Sequence, residues 1–400
     1  MSKAVFDIDT KAAEDRLMRY LAIEGQSGEE KLIAEAIIDD LKSIGVPASA
    51  CRFDDAHKKI PLPAQIGNLF VSLPGTRKGP GLVFATHMDV VPLCKGARPK
   101  RKGNRIFPEG TTALGGDNRT GCAVLSTLAQ TLLQSKLDYP PITLLYTVRE
   151  ESGIQGAEHM DPSLLNGAKT CFNFDGKSAA DLITGAVGAQ SWEVHIHGKA
   201  SHAGVSPEKG ISSTLVAAIA LAEVKRGGWW GKVKKQSNRG TSNAGIFAGK
   251  DGKPAGDATN VVTDYVYVRG EARSANARFA AEITAAYKAA FAKAAGMVKD
   301  DRGGRAKVKF TGKAQYPPFN LPESAPAVKH AKRAAEMLGL KPTCVFSNGG
   351  LDANFFAKHG LSTVTLGAGQ HEIHTVKEFV ELAQFAEGCQ IAVALATLKA

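Results

Sequence analysis

The chain has 400 residues, 44% of them hydrophobic and 7% aromatic, and a formal net charge of +11. Ordinary apolar content excludes a disordered or fibrous protein, and the length exceeds one typical core, so two domains are expected. Met1 to Tyr20 is charged and has no signal-peptide core, and the longest apolar candidate, Leu215 to Val224, is far too short to span a bilayer. The expectation is therefore a cytoplasmic protein with no membrane partner.

Residues 11 to 46 read as helical, with apolar spacing that includes Leu32-Ile33 and Ala36-Ile37-Ile38. Strands then alternate with helices up to Asp175, as in an α/β sheet with crossover helices. From about residue 187 the pattern changes. Gln190 to His197 alternates as a strand with Trp192, Val194 and Ile196 on one face, and residues 211 to 225 are helical. Ser242 to Ala248 and Asn260 to Ala272 read as strands, 275 to 296 as an Ala-rich helix, and Arg305 to Thr311 as a strand. That β-α-β-β-α-β order is ferredoxin-like. Pro317-Pro318 marks a return to the first domain, with a helix over 325 to 338. The predicted fold is an α/β domain made of 1–186 and 315–400, carrying an inserted α+β domain over 187–314.

The six cysteines (Cys51, Cys94, Cys122, Cys171, Cys344, Cys389) are scattered without a CxxC pair and read as reduced core residues. Basic clusters at Lys95 to Lys102, Lys225 to Lys235 and Lys299 to Lys309 are separated and accompany no nucleic-acid motif, so solvated loop faces are preferred and no nucleic-acid partner is expected. Trp229-Trp230, beside one cluster, is read as a flexible loop packed at an interface rather than a stacking platform.

Chemistry gathers where apolar runs end. Ile142 to Val148 leads into Glu150-Glu151. Gly81 to Thr86 leads into His87-Met88-Asp89, and Lys169 to Phe174 into Asp175. Leu361 to Leu366 leads into Gly367-Ala368-Gly369 and then His371 and His374. Between the first two runs in chain order, Gly115-Gly116-Asp117-Asn118 precedes a helical pattern from Thr120 to Leu133. Acids and histidines at the ends of parallel strands stand where such sheets meet ligand. Strand alternation predicts that one of the paired glutamates holds a metal while the other faces a water. His87, Asp117, Glu151, Asp175 and His374 form an N/O donor set suited to a zinc-like ion. With Asp117 as a bridge, admitted closely by its Gly-Gly turn, five residues serve two ions about 3.5–4 Å apart. Asp89 can accept from the other ring nitrogen of His87 and fix its tautomer. Taken singly, each residue has a duller explanation: a satisfied strand-end histidine, an N-cap aspartate, a solvated acid. Their joint occurrence favours the metal site.

These motifs, spread from His87 to His374, resemble the co-catalytic zinc exopeptidases that include peptidase T, carnosinase-type dipeptidases, aminoacylases and glutamate carboxypeptidase, and most closely the peptidase T-like branch. The resemblance implies two metal ions, zinc with manganese or cobalt as alternatives. His87, Asp117 and Asp175 would hold one, and Asp117, Glu151 and His374 the other. It makes Glu150 the general base and Asp89 the orienting acid. This chain has Asp117-Asn118-Arg119 where the family often has Asp-Asp-Lys, which changes the charge beside the bridge. In the inserted domain, His202 of Gly198-Lys199-Ala200-Ser201-His202-Ala203-Gly204 matches a lid histidine that stabilises an oxyanion. From the local string alone Asn260 is a turn residue and Arg273 a surface ion-pair partner; the resemblance matches both to lid residues that contact substrate. Ser347-Asn348-Gly349-Gly350-Leu351-Asp352 resembles a glycine-rich cleft loop whose backbone N–H groups bind substrate, with Leu351 replacing a small hydroxyl residue; a plain turn is the alternative. The implied function is an aminopeptidase acting on di- and tripeptides, working as a homodimer paired through the lid. An N-acyl amino acid deacylase or carboxypeptidase of the same fold is one rival. A catalytically idle binding protein using the basic surface is another.

Overall fold

Four apolar runs become the parallel centre of a sheet. The strands Ile142–Thr147, Leu82–His87, Thr170–Phe174 and Ser362–Leu366 lie side by side in that order. They read as nearly continuous apolar segments because helices cover both faces of such a sheet. The structure, a computed structural model, describes residues 5–399, so the first four residues of the Met1 to Tyr20 stretch lie outside the described residues. Leu69–Leu73 adds antiparallel beside Ile142–Thr147, and Asp181–Ala186 joins beyond Ser362–Leu366 with Thr343–Ser347 parallel to it. His87 is in register with Thr147, and Phe174 with Leu366. Four strands therefore finish along one edge, and the loops that follow them share a neighbourhood. Phe84, Phe172 and Phe174 anchor the core, with the Phe84 and Phe172 ring centroids 5.7 Å apart.

The chain divides into two compact units, Met1–Ala186 with Asn320–Ala400, and Val187–Phe319. The second unit is a five-stranded antiparallel sheet in the order Gly231–Lys235, Asn238–Ala248, Tyr265–Ser274, Gly188–His197, Lys307–Tyr316. Without its first edge strand it is the ferredoxin-like order. Helices Ser213–Arg226 and Ala277–Met297 pack on it around a separate core of Trp192, Val194, Ile196, Phe279 and Phe291.

Four sequence expectations need correcting. Residues 11 to 46 form two helices, Thr10–Leu21 and Lys31–Ser43, split by a loop in which Gly28 takes φ +92°. A Cβ at Gly28 would meet the Pro63 carbonyl oxygen at 2.4 Å, so the break is built in. The cluster Lys225 to Lys235 is no loop face. Its last part is the edge strand Gly231–Lys235, where exposed lysines discourage pairing with another chain. Beside it, Trp229 and Trp230 pack on the second unit's own core, and the Lys235 ammonium lies 4.6 Å from the Trp229 ring centre. Asn260 sits in a turn, because the strand begins only at Tyr265. The expected domain end at 314 falls inside the strand Lys307–Tyr316. All six cysteines are unpaired and four are buried. Among the described residues no helix is long and apolar enough to cross a membrane.

Candidate metal centre

His87 ends its strand with its ring buried. Its Nδ1 lies 3.0 Å from the Asp89 backbone carbonyl and 3.4 Å from Asp89 Oδ1, so the nearer acceptor is main chain rather than the expected carboxylate. That contact puts the proton on Nδ1 and leaves Nε2 as a ligand atom. Nε2 faces Asp117 Oδ1 at 3.1 Å and Asp175 Oδ1 at 3.8 Å. The other oxygen of Asp117, Oδ2, is 3.3 Å from His374 Nε2, which is 2.8 Å from Glu151 Oε1. The two Asp117 oxygens thus face different histidines, the arrangement a bridging carboxylate needs. Donor atoms of His87, Asp117 and Glu151 all lie within 4.8 Å of one another. His371, three residues before His374, is turned away to Gln384 at 2.6 Å and stacks on Phe379.

Glu150 and Glu151 lie beyond the last strand residue, Thr147, so strand alternation does not separate them. A turn does, entered through Arg149 at φ +54°. Asp89 holds this turn: its Oδ1 accepts from the Glu150 amide (2.9 Å) and its Oδ2 from the Glu151 amide (3.2 Å) and Ser27 Oγ (2.5 Å). The Gly115-Gly116 turn carrying Asp117 is gripped by Glu378, which accepts from the amides of Leu114 (2.7 Å), Gly115 (2.9 Å) and Asp117 (3.1 Å). A Cβ on Gly116 would meet Val380 at 2.9 Å, so only glycine fits there. The Asp117–Asn118 peptide is cis. Asn118 bonds the Phe174 carbonyl at 2.7 Å. Arg119, fully buried, donates to the carbonyls of Met88 (2.6 Å) and Ile23 (3.1 Å). The two residues that depart from the family pattern are thus braces of the surrounding loops. Gln370 completes the shell, 3.4 Å from Asp175 Oδ1.

The electrostatics call for cations. Burial lifts Glu150 well above the ordinary carboxylate range. Burial also lifts Glu151 to about 7, and it raises Asp175 with help from the charge on Asp117. Burial acts to raise Asp117 too, but hydrogen bonds from His374 and His87 overturn it and hold the group low. Contacts with Asp117 and Glu151 push His374 up to about 10. Protonated histidines are the only positive charges inside a cluster of carboxylates that repel one another. Divalent ions fit this donor set in type and charge, and their binding would expel those protons.

The remaining expected residues lie elsewhere. His202, in the second unit, is exposed. Its Nδ1 accepts from the amides of Gly204 and Val205, both at 3.2 Å, which leaves the proton on Nε2 and makes that atom a donor. Asn260 is exposed, and its carbonyl accepts from the Ala203 amide at 2.8 Å. Arg273 pairs with both Glu271 oxygens, at 2.9 and 3.0 Å, beside a cavity within the second unit that Tyr316 and Asn243 also line. The Gly349 amide is taken by Ser347 Oγ at 3.0 Å, so the expectation that it offers a substrate donor does not hold in this conformation; Gly350 follows it in the same turn. Ser27, Glu378 and Gln370 were not foreseen. Only Glu378, close behind His374 in an apolar-poor stretch, carried even a weak signal.

Buried strand ends that converge histidines and carboxylates are the layout of a metal-dependent hydrolase. The chain belongs to peptidase family M20/M25/M40, whose profile matches residues 83–398. It is 33% identical to the protein YqjE of Bacillus subtilis over 330 residues, 82% of this chain and 84% of that one. It is also similar to the crystal structure of aminopeptidase PepT from Bacillus cereus, at 31% identity and a TM-score of 0.84, with 98% of each chain covered. A tripeptidase from Staphylococcus aureus gives 27% identity and a TM-score of 0.86, again over 98% of each chain.

Proposed function

We propose that this chain is a two-metal aminopeptidase that releases residues from di- and tripeptides. The observation that carries the reading is the site itself: Asp117 between His87 and His374, with Glu150 directly beside the ligand Glu151. His87, Asp117 and Asp175 would hold one ion, and Asp117, Glu151 and His374 the other. When bound, the ions supply the Lewis acidity that activates water and polarises a peptide carbonyl. Glu150 takes the proton of the attacking water. Its burial gives it the high proton affinity to keep that proton until the leaving amine accepts it. Asp89 positions both glutamates through their amides. His202, locked as an Nε2 donor, is assigned to the developing oxyanion, and Asn260, Arg273 and the Gly349-Gly350 turn to substrate contacts. Family likeness supports zinc as the resident ion, a cytoplasmic location and a homodimer formed through the second unit.

The test combines metal analysis with a panel of dipeptides, tripeptides and N-acyl amino acids, assayed with added zinc, manganese or cobalt. Cleavage of free-amine peptides is expected, and blocking the amine should abolish it. Faster turnover of N-acyl amino acids would replace the reading with a deacylase.

A further inference from the structure

The first unit has a second concave feature, away from the metal centre. A cavity of about 560 Å³ opens at Leu82 and Thr170, the first residues of two central strands. The metal cluster stands at the other ends of those strands. At about 3.3 Å per residue, the strand from Leu82 to His87 separates the two places by roughly 17 Å. The volume suits a small molecule, since such sites span about 300–1,000 Å³.

The lining is strongly basic. Arg77, Lys78, Lys329, His330, Arg333 and Lys399 contribute to it, and no acidic residue does. The acids nearby are engaged: Asp138 accepts from Thr76 at 2.8 Å, and Glu323 pairs with Lys332 at 2.6 Å. The basic residues divide by what they touch. Arg77 donates to the carbonyls of Thr397 (3.3 Å) and Leu398 (3.1 Å), Arg333 to Lys399 (3.3 Å), and His330 Nε2 to Leu395 (2.9 Å). These three satisfy the open carbonyls at the end of the helix Leu382–Thr397, where positive charge also complements the helix dipole. The ammonium groups of Lys78 and Lys329 make no hydrogen bond or ion pair with any described residue. Both stand on a cavity whose wall is apolar at Leu82, Pro140 and Leu398. A concave site with one sign of charge and low-dielectric walls concentrates potential and draws counter-charge.

We propose that this cavity is a binding site for a small phosphate-bearing molecule, with Lys78 and Lys329 on the phosphate and the apolar wall against the rest of the ligand. Lysine ammoniums bind phosphate as point charges through charge-assisted hydrogen bonds. The caps on the helix end are already spent on carbonyls, so the two lysines are the residues that distinguish a ligand site from a helix cap.

The test is calorimetric titration of the metal-loaded, full-length protein with phenyl phosphate and with inorganic phosphate at about 0.15 M salt, where weak surface attraction is screened. Wild type is compared with the double variant Lys78→Gln/Lys329→Gln. The metal centre is intact in both, so any phosphate bound there is common to both titrations. The expected result is a saturable event in wild type that the variant weakens about ten- to a hundredfold, the loss of two charge-assisted contacts. Phenyl phosphate should bind more tightly than inorganic phosphate, and the ligand-free melting temperature should not move, since neither lysine bonds the fold. Identical titrations of the two proteins would overturn the proposal and leave the basic cavity as the cap of one helix. Equal affinity for the two phosphates would overturn the assignment of the apolar wall.

Discussion

Glu150 and Glu151 are adjacent in sequence and opposite in circumstance. Glu151 is committed to His374 at 2.8 Å, whereas the Glu150 carboxylate accepts no hydrogen bond among the described residues. Only Glu150 is placed to gain and lose a proton without breaking a ligand contact. Glu150→Gln keeps its shape and the Asp89 contact to its amide, but removes the basic oxygen. Both ions should stay bound while kcat falls by about 10²–10⁴, the usual cost of losing a general base. Asp117→Ala, in contrast, should empty the centre of both ions. Metal content by mass spectrometry beside single-turnover rates checks the pair, and near-normal turnover by Glu150→Gln would remove it from the base role. At this scale the sequence was informative because the donors have few other reasons to follow buried strands. It was silent on Glu378, whose amide partners lie up to 264 positions earlier in the chain. No local pattern encodes so distant a grip.

The elements that frame the site are loops, and here periodicity misled. Apolar spacing ran across residues 11 to 46, yet the chain must break at Gly25 to Glu30 to bring Ser27 against Asp89. Helical propensity reports the helices on either side and is blind to a tertiary demand between them. Glu30, fully buried in that loop, accepts from the amides of Gly28 (2.8 Å) and Arg149 (3.0 Å), the residue before Glu150. It is a positioning residue for the catalytic turn. Glu30→Ala leaves two buried N–H groups unpaired, at about 1–3 kcal/mol each, and should lower kcat with little change in KM. Glu30→Gln keeps the accepting oxygen and should restore activity. The pH dependence separates the two effects. Burial, then the charge on Asp89, raises Glu30 from its ordinary 4.5 to about 7. The folded state therefore binds the proton more tightly than the unfolded one, and stability falls as pH rises from about 4.5 to about 7. The glutamine variant, which cannot ionise, should lose that slope in denaturant titrations across the same window. An unchanged slope would mean that Glu30 does not titrate in the fold.

At the scale of the molecule, two cores were legible because the period changes. Helix–strand alternation gives way to alternating strands near residue 187, and each pattern closes its own hydrophobic cluster. The boundary at the far end was harder to read, because Lys307–Tyr316 loses its alternation in a run of exposed residues and the strand continues unseen past 314. The structure shows why the insertion is separable. The Leu321 amide donates to the Thr184 carbonyl at 2.7 Å, so the chain leaves and rejoins the first unit at neighbouring points on one sheet edge. A short Gly/Ser linker in place of residues 187–319 can therefore close the gap at little entropic cost. The shortened protein should melt cooperatively and bind both ions, since all five proposed ligands and Glu150 belong to the first unit. Its peptide hydrolysis should nevertheless fall by about 10²–10³, the cost of losing one oxyanion donor, with lost substrate contacts adding to that. Metal stoichiometry and kcat/KM for a tripeptide decide the matter. Wild-type kcat/KM in the shortened chain would show that His202, Asn260 and Arg273 take no part in the reaction. Loss of the ions together with activity would show instead that the metal centre depends on the second unit for its folding, and the division of labour between the units would have to be given up.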